Sequence, residues 1–174
     1  MKWLTILCAA LLWAGGLCRL PAELAYSSAS VWDFDSVNPV HPARTESEVA
    51  AAAVYAAITR ANDFWNAHNL EGYLDSFWHS PALVVVEEGA VINGWSDFHD
   101  RSVRGFNEPE MMGRNSVTRV QIRMLTRDLA LAVTHWTLAF PGSSHVVVGV
   151  DTTYIQSLNG TWKVITAHTS YMDM

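Results

Sequence analysis

Three groups of residues in this chain have types that could do chemistry. His135 and Tyr154, with Thr152 beside the tyrosine, fall in stretches rich in Val and Thr. An imidazole that titrates near neutral pH inside an apolar pocket can take or give a proton, and a phenol can share that traffic. The plainer reading makes His135 a core histidine bonded to one protein partner, and Tyr154 ordinary packing. The second group is Asp151 and His168, a carboxylate and an imidazole that could meet across strands. Such a pair can orient a base, but no nucleophile stands in reach, so a structural pair at a subunit contact is the better expectation. The third group is aromatic: Tyr55, Trp65 and Trp95 could join Thr152 and Tyr154 in lining an apolar pocket with a few polar groups.

Other chemistries find no support. His68, His79 and His99 lack metal-ligand spacing, so no metal is expected. There is no Gly-rich phosphate loop or nucleophile elbow, and no cofactor is implied. Arg101 and Arg104 lie one turn apart on a helical stretch and read as a solvated face. Cys8 and Cys18 are the only cysteines, so the chain beyond them has neither a disulfide scaffold nor a cysteine nucleophile. Seventeen acidic residues against eleven basic ones argue against a nucleic-acid partner. Half of the residues are hydrophobic, enough to bury a core, and eight are Trp. Asn159-Gly160-Thr161 is formally a glycosylation sequon.

The elements that must position these residues are legible in the pattern. Lys2, an uncharged run from Trp3 to Leu17 and small residues beyond read as a signal peptide over 1–22, too short for a membrane span. Removing it takes Lys2 and Arg19 and no acid, which leaves nine basic residues against seventeen acidic ones and a net charge of −8. Residues 23–44, with four serines and two prolines, read as a flexible linker or arm whose Trp32 and Phe34 could dock onto the domain. The domain runs over 45–174. Thr45 to Glu48 has the capping-box form, and Val54, Ile58, Ala61 and Trp65 recur at helical spacing. A short helix is expected over 70–78, strands over 83–86 and through Ile92, a third helix over 95–106, and a loop over 107–115 that is a candidate lid. From Ser116 the period becomes two, giving four strands over 117–126, 129–140, 145–157 and 161–170.

Taking the intervening turns as tight fixes a register by arithmetic. One face then carries Val120, Ile122, Met124, Val133, His135, Val150, Thr152, Tyr154, Ile165 and Ala167. The other carries Arg119, Gln121, Arg123, Thr134, Trp136, Asp151, Thr153, Trp162 and His168. The first is more apolar and should take the helices. The second, polar but with two Trp, reads as a homodimer face formed by Arg119, Trp136, Asp151, Trp162 and His168.

Four stretches give the chain its resemblance to a known family: Asp63 to Leu70, Phe77 to Trp95, Trp95 to Phe106, and the ending Gly160 to Ser170 with its Trp162, Val164, Ile165, His168 and Ser170. Over Thr45 to Tyr171 it resembles the NTF2-like superfamily in its SnoaL-like or DUF4440-type branch. The resemblance implies an α+β cone, with three N-terminal helices packed on a curved, mainly antiparallel sheet and a pocket between them. The steroid isomerases of that superfamily use a Tyr on the first helix and two acids in the cone. Alignment puts the tyrosine position at Ala61 or Asn62. The base falls at or beside Val86, with Glu87 the nearest carboxylate, and the second acid falls at Thr152, beside Asp151. The reading that results is an exported, periplasmic or secreted domain that binds a small apolar ligand in its cone. The alternatives are an acid–base isomerase, dehydratase or cyclase working through His135 with Glu87 or Tyr154, and a non-catalytic association module. A homodimer and no stable membrane insertion after signal cleavage are expected. N-terminal sequencing of protein from the producing cell should find a start between about residues 17 and 26; an intact Met1 in the soluble fraction contradicts export.

Overall fold

The computed structural model describes residues 31–35 and 45–174. The expected signal peptide lies outside the described residues. Among those described, no helix is long and apolar enough to cross a membrane. The elements in chain order are β1 (Val31–Asp35), α1 (Glu46–Asn66), α2 (Leu70–Leu74), β2 (Val84–Glu87), β3 (Ala90–Asn93), α3 (Trp95–Gly105), a 3-10 turn (Pro109–Met112), β4 (Arg114–Met124), β5 (Leu129–Ala139), β6 (Val146–Leu158) and β7 (Thr161–Asp173). Seven strands form one sheet in the order β1-β4-β5-β6-β7-β2-β3, antiparallel except where β2 runs parallel to β7.

Helix α1 starts where its cap requires. The Thr45 hydroxyl accepts from the Glu48 N–H at 3.2 Å, satisfying one of the donors that a helix start leaves open. Asn69 caps α2 in the same way through the Gly72 N–H at 2.9 Å. Helix α2 ends at Leu74, short of the expected Trp78, because a strand-like contact takes over: Phe77 bridges Val164, and the Trp78 N–H donates to the Val164 carbonyl at 2.8 Å. The Asn159-Gly160 turn has φ of 53° and 80°, the left-handed pair that a two-residue hairpin needs.

Two apolar cores flank the interior. Ala51 and Val54 of α1 pack on Val120, Ile122, Ala130, Ala132 and Ile155 of the sheet. Leu74, Phe77, Leu83, Val85, Ile92, Phe98 and Ala167 form the other, under α2 and α3, and Val164 touches both. Between them the sheet curves away from α1.

Two expectations need correction. Val31–Asp35, inside the segment read as a flexible linker or arm, is an edge strand on β4. Trp32 and Phe34 dock on the first core, with Phe34 stacked on Tyr55 at 4.5 Å, while Arg119 donates to the Asp33 carboxylate from the other face. The Arg119 guanidinium beside Asp33 holds that carboxyl below its usual range. The loop read as a candidate lid is fastened down. The Trp65 indole N–H donates to the Met112 carbonyl at 2.8 Å, His68 Nδ1 meets the Pro109 carbonyl at 2.6 Å, and the Asn66 amide engages both backbone groups of Asn115 at 2.8 Å. Three side chains at the end of α1 hold it, which the aperiodic sequence of the loop did not reveal.

Strand β1 covers the β4 edge with backbone pairing and two aromatic rings. A chain starting at residue 36 should melt at lower temperature than the parent and self-associate through the bare β4 edge, read by thermal melting and light scattering. Equal melting temperatures and masses would contradict that role.

Candidate functional site

Val120, Ile122 and Ala167 face the helices as expected, but β5 and β6 turn the opposite side to them, and the reason is local. Five residues separate the last pair of the β4–β5 hairpin, Met124 and Ala130, so Val120 sits opposite Thr134 instead of His135. A one-residue slip moves every side chain of a strand to the other face. The β5–β6 register is as expected, with Thr134 opposite Asp151 and His135 opposite Val150. A second irregularity beyond Ile155–Val164 leaves Ile165 unpaired and sets Asp151 opposite Thr169, not His168.

Thr134, Asp151, Thr153 and Trp162 therefore point into the cone, and His135, Thr152, Tyr154 and His168 point away from it. This corrects the assignment of His135 and Tyr154 as catalytic and of Thr152 and Tyr154 as ligand-binding. It also corrects Trp136, Asp151 and Trp162 as dimer residues. Arg119 and His168 stay on the outer face. Tyr154 is 40% exposed there. Tyr55 borders a smaller cavity of about 170 Å³ next to the cone, against Phe34. Trp95 stacks on His79 at 3.8 Å beside the second core and lines neither cavity. Trp65 does line the cone.

The cone holds a cavity of about 500 Å³. Its helical wall is made of alanines, among them Ala53, Ala57 and Ala61 at successive turns of α1. Trp65, Tyr73 and Phe77 close one side and Val117, Ile155 and Val164 the other. Exposed Arg60, Asp75 and Thr161 mark the mouth, where Lys163 is held at 3.1 Å from the Asp75 carboxylate.

At depth the chemistry centres on Asp151. Burial pushes its carboxyl above the usual range; hydrogen bonds from Trp136 and Thr169 oppose that, and the charge of Glu87 adds to it. Its Oδ1 is buried with no hydrogen-bond partner among the described residues. Trp136 reaches it by lying flat over the opposite strand. A Cβ at Gly149, its register partner, would stand 2.2 Å from the indole, so only glycine leaves that ring its place. Burial also raises the Tyr73 phenol, which feels the charges of Asp151 and Glu87. Glu87 shares a row of the sheet with Thr169 and Asp151 but does not line the cavity. It lies half-buried, 3.7 Å from Arg101, and burial lifts its carboxyl while Arg101 pulls it down. Among the described residues no three metal-binding side chains gather.

This curved sheet around a long helix has many counterparts. The structure is similar to an NTF2-like protein of unknown function from Shewanella oneidensis, with TM-score 0.64 and 22% identity over 68% of this chain and 97% of that one. It is also similar to a candidate scytalone dehydratase from Novosphingobium aromaticivorans, with TM-score 0.59 and 11% identity over 74% and 89%. A candidate calcium/calmodulin-dependent protein kinase II association domain from Xanthomonas campestris matches with TM-score 0.58 and 20% identity over 75% and 91%. The fold is NTF2-like. No protein-family profile matches the chain, and no curated protein matches it. At these identities the likeness fixes architecture and leaves function to the site.

The raised Asp151 pKa has a sign that can be tested. The folded chain holds that proton more tightly than the unfolded one, so the stability it supplies is complete below about pH 4 and is lost as pH rises through the folded value. Asp151→Asn, which keeps an oxygen for Trp136 and Thr169, should therefore melt above the parent at pH 7. The gap should close as pH falls toward about 4. A variant that melts lower at pH 7, or a gap independent of pH, contradicts the buried-carboxyl account.

Proposed function

We propose that this protein binds a small, largely apolar molecule inside its cone, with Asp151 meeting the polar atom of the ligand. The observation that carries the reading is a cavity of about 500 Å³, walled by alanine, aromatic and aliphatic side chains, with one largely buried carboxyl whose Oδ1 is unspent. That size and composition are those of small-molecule sites. A cone that served only association would have no reason to stay open, since filling it would add dispersion contacts. The test uses 1-anilinonaphthalene-8-sulfonate as a fluorescent probe. The parent should take it up saturably, and Ala57→Leu with Ala61→Leu, which fill the cavity from α1, should abolish uptake while the fold melts no lower. Equal uptake by the filled variant would place the probe elsewhere and count against the reading.

A second reading, acid–base catalysis of the isomerase, dehydratase or cyclase type, draws on one specific observation. Asp151 and Tyr73 line the same cavity, the charge of Asp151 helps to raise the Tyr73 phenol, and a carboxyl raised by burial is suited to proton transfer. Asp151 and Tyr73 take the places first given to His135 and Tyr154. Glu87 stands behind them, turned to Arg101.

Export through residues 1–22 and membership of the SnoaL-like or DUF4440-type branch remain part of this proposal. So does a homodimer, now through the outer sheet face, where Leu131, Val133, Val148 and Val150 stand near Tyr154 with no helix over them. Light scattering of Val150→Asp should give a monomer where the parent gives a dimer. A monomeric parent would end this part.

A further inference from the structure

Three elements bring buried oxygen atoms to the cone that none of the described residues satisfies. Asn62 Oδ1 from α1, Asn115 Oδ1 from the start of β4 and Asp151 Oδ1 from β6 each lack a hydrogen-bond partner among the described residues, and all three residues line the cavity. Only one other buried side-chain polar atom is in that state among the described residues, Trp32 Nε1, and Trp32 lines neither cavity. A buried unpaired polar atom costs its desolvation energy, so native chains keep few of them, and three converging on one cavity call for a reason.

Several donors in and around the cavity are already committed, although Arg60 at the mouth and the Trp162 indole also line it. Trp65 Nε1 donates to the Met112 carbonyl, Trp136 and Thr169 donate to Asp151, and Lys163 Nζ donates to Asp75. Asn115 has both backbone groups engaged by Asn66, which leaves its amide oxygen for the cavity. The Tyr73, Thr134 and Thr153 hydroxyls can give or accept. At depth, the unspent buried atoms of the wall are therefore acceptors.

We infer that the ligand carries hydrogen-bond donors: an apolar body bearing hydroxyl, amine or amide N–H groups, set against the free oxygens of Asn62, Asn115 and Asp151, and neither a plain hydrocarbon nor a simple ketone. This deepens the binding reading above and rests on it. Discrimination follows from the cost of the alternative. A body without donors leaves the same oxygens dry and unpaired, whereas one with donors satisfies them where water is excluded.

The test compares three probes of similar shape on the parent at pH 8 by calorimetry: 4-phenylphenol, which donates, 4-fluorobiphenyl, which does not, and 4-acetylbiphenyl, which only accepts. The phenol should bind at least about tenfold more tightly than either of the others. Asn62→Leu should reduce that preference to within about threefold, and, freed of an unpaired oxygen, should melt no lower than the parent without ligand. Asn115→Leu serves as the second variant if Asn62→Leu does not fold. Equal affinities for phenol and fluoro compound overturn the inference and leave the binding reading standing. A preference for the ketone overturns it in favour of a wall that donates. An Asn62→Leu chain that folds but melts several degrees lower shows that the amide oxygen was bonded within the protein, and overturns it too. If no probe binds the parent, the binding reading falls and takes the inference with it.

Discussion

The interior of this protein is governed by what α1 does not fill. Its turns present Ala53, Ala57 and Ala61 to the sheet, and a methyl group cannot span the distance that the curvature of β4 to β7 opens. Protein interiors otherwise approach crystal packing, and voids forfeit dispersion contacts along their walls. The structure tolerates the gap because cores on either side hold the layers apart. One is centred on Val54 and Ile122, the other on Leu74 and Phe98. Helix and sheet are braced at both ends, and the space between is left over.

The bracing continues at the C-terminal end of α1. Trp65 has its ring against Tyr73 and Phe106 in edge contacts near 5 Å, and its N–H on the Met112 carbonyl. Asn66 and His68 tie the same end to Asn115 and Pro109. Where Gly72 lies against Phe64 and Asn69, an added Cβ would come within 2.7 Å of both, so α1 and α2 meet almost backbone to side chain. One wall of the cone is therefore rigid for a packing reason, and a molecule inside it would meet a formed surface.

The sheet carries a row of polar groups beside that space: Thr134 and Asp151, which line it, then Thr169 and Glu87 on the next strands. The row is costly. Burial lifts the carboxyls of Asp151 and Glu87, and burial with their charges also raises the Tyr73 phenol. A chain built for stability alone would have hydrocarbon there. The Trp136–Gly149 contact shows how specific the arrangement is, because the indole reaches Asp151 only across a residue that has no side chain.

The elements were legible from the sequence because local chemistry decides them. The Thr45 cap, the 3.6-residue stripe through Trp65, the period-two stretches and the Asn159-Gly160 turn each act within a few residues, and an α+β cone follows from their order, although the edge strand β1 did not show in the pattern. The same arithmetic paired His135 with Val150 correctly. What it could not supply was the number of residues in the turn after Met124 or the extra residue near Ile165, and with a period of two each moves a strand's side chains across the sheet. The hydrophobic contrast misled in the same direction. Where α1 packs close on the sheet in the first core, the concave side has little room, so Ala130 and Ala132 go there, and the bulkier Leu131, Val133 and Val150 take the convex side. Composition within β5 and β6 thus favours the wrong face, and from it Asp151 reads as a subunit contact and His135 as a base. The sequence by itself determined the elements and their order. Which face each side chain took, and so which residues share the cavity, was decided only by the tertiary structure, because that choice depends on turn lengths, a bulge and the space left beneath a helix.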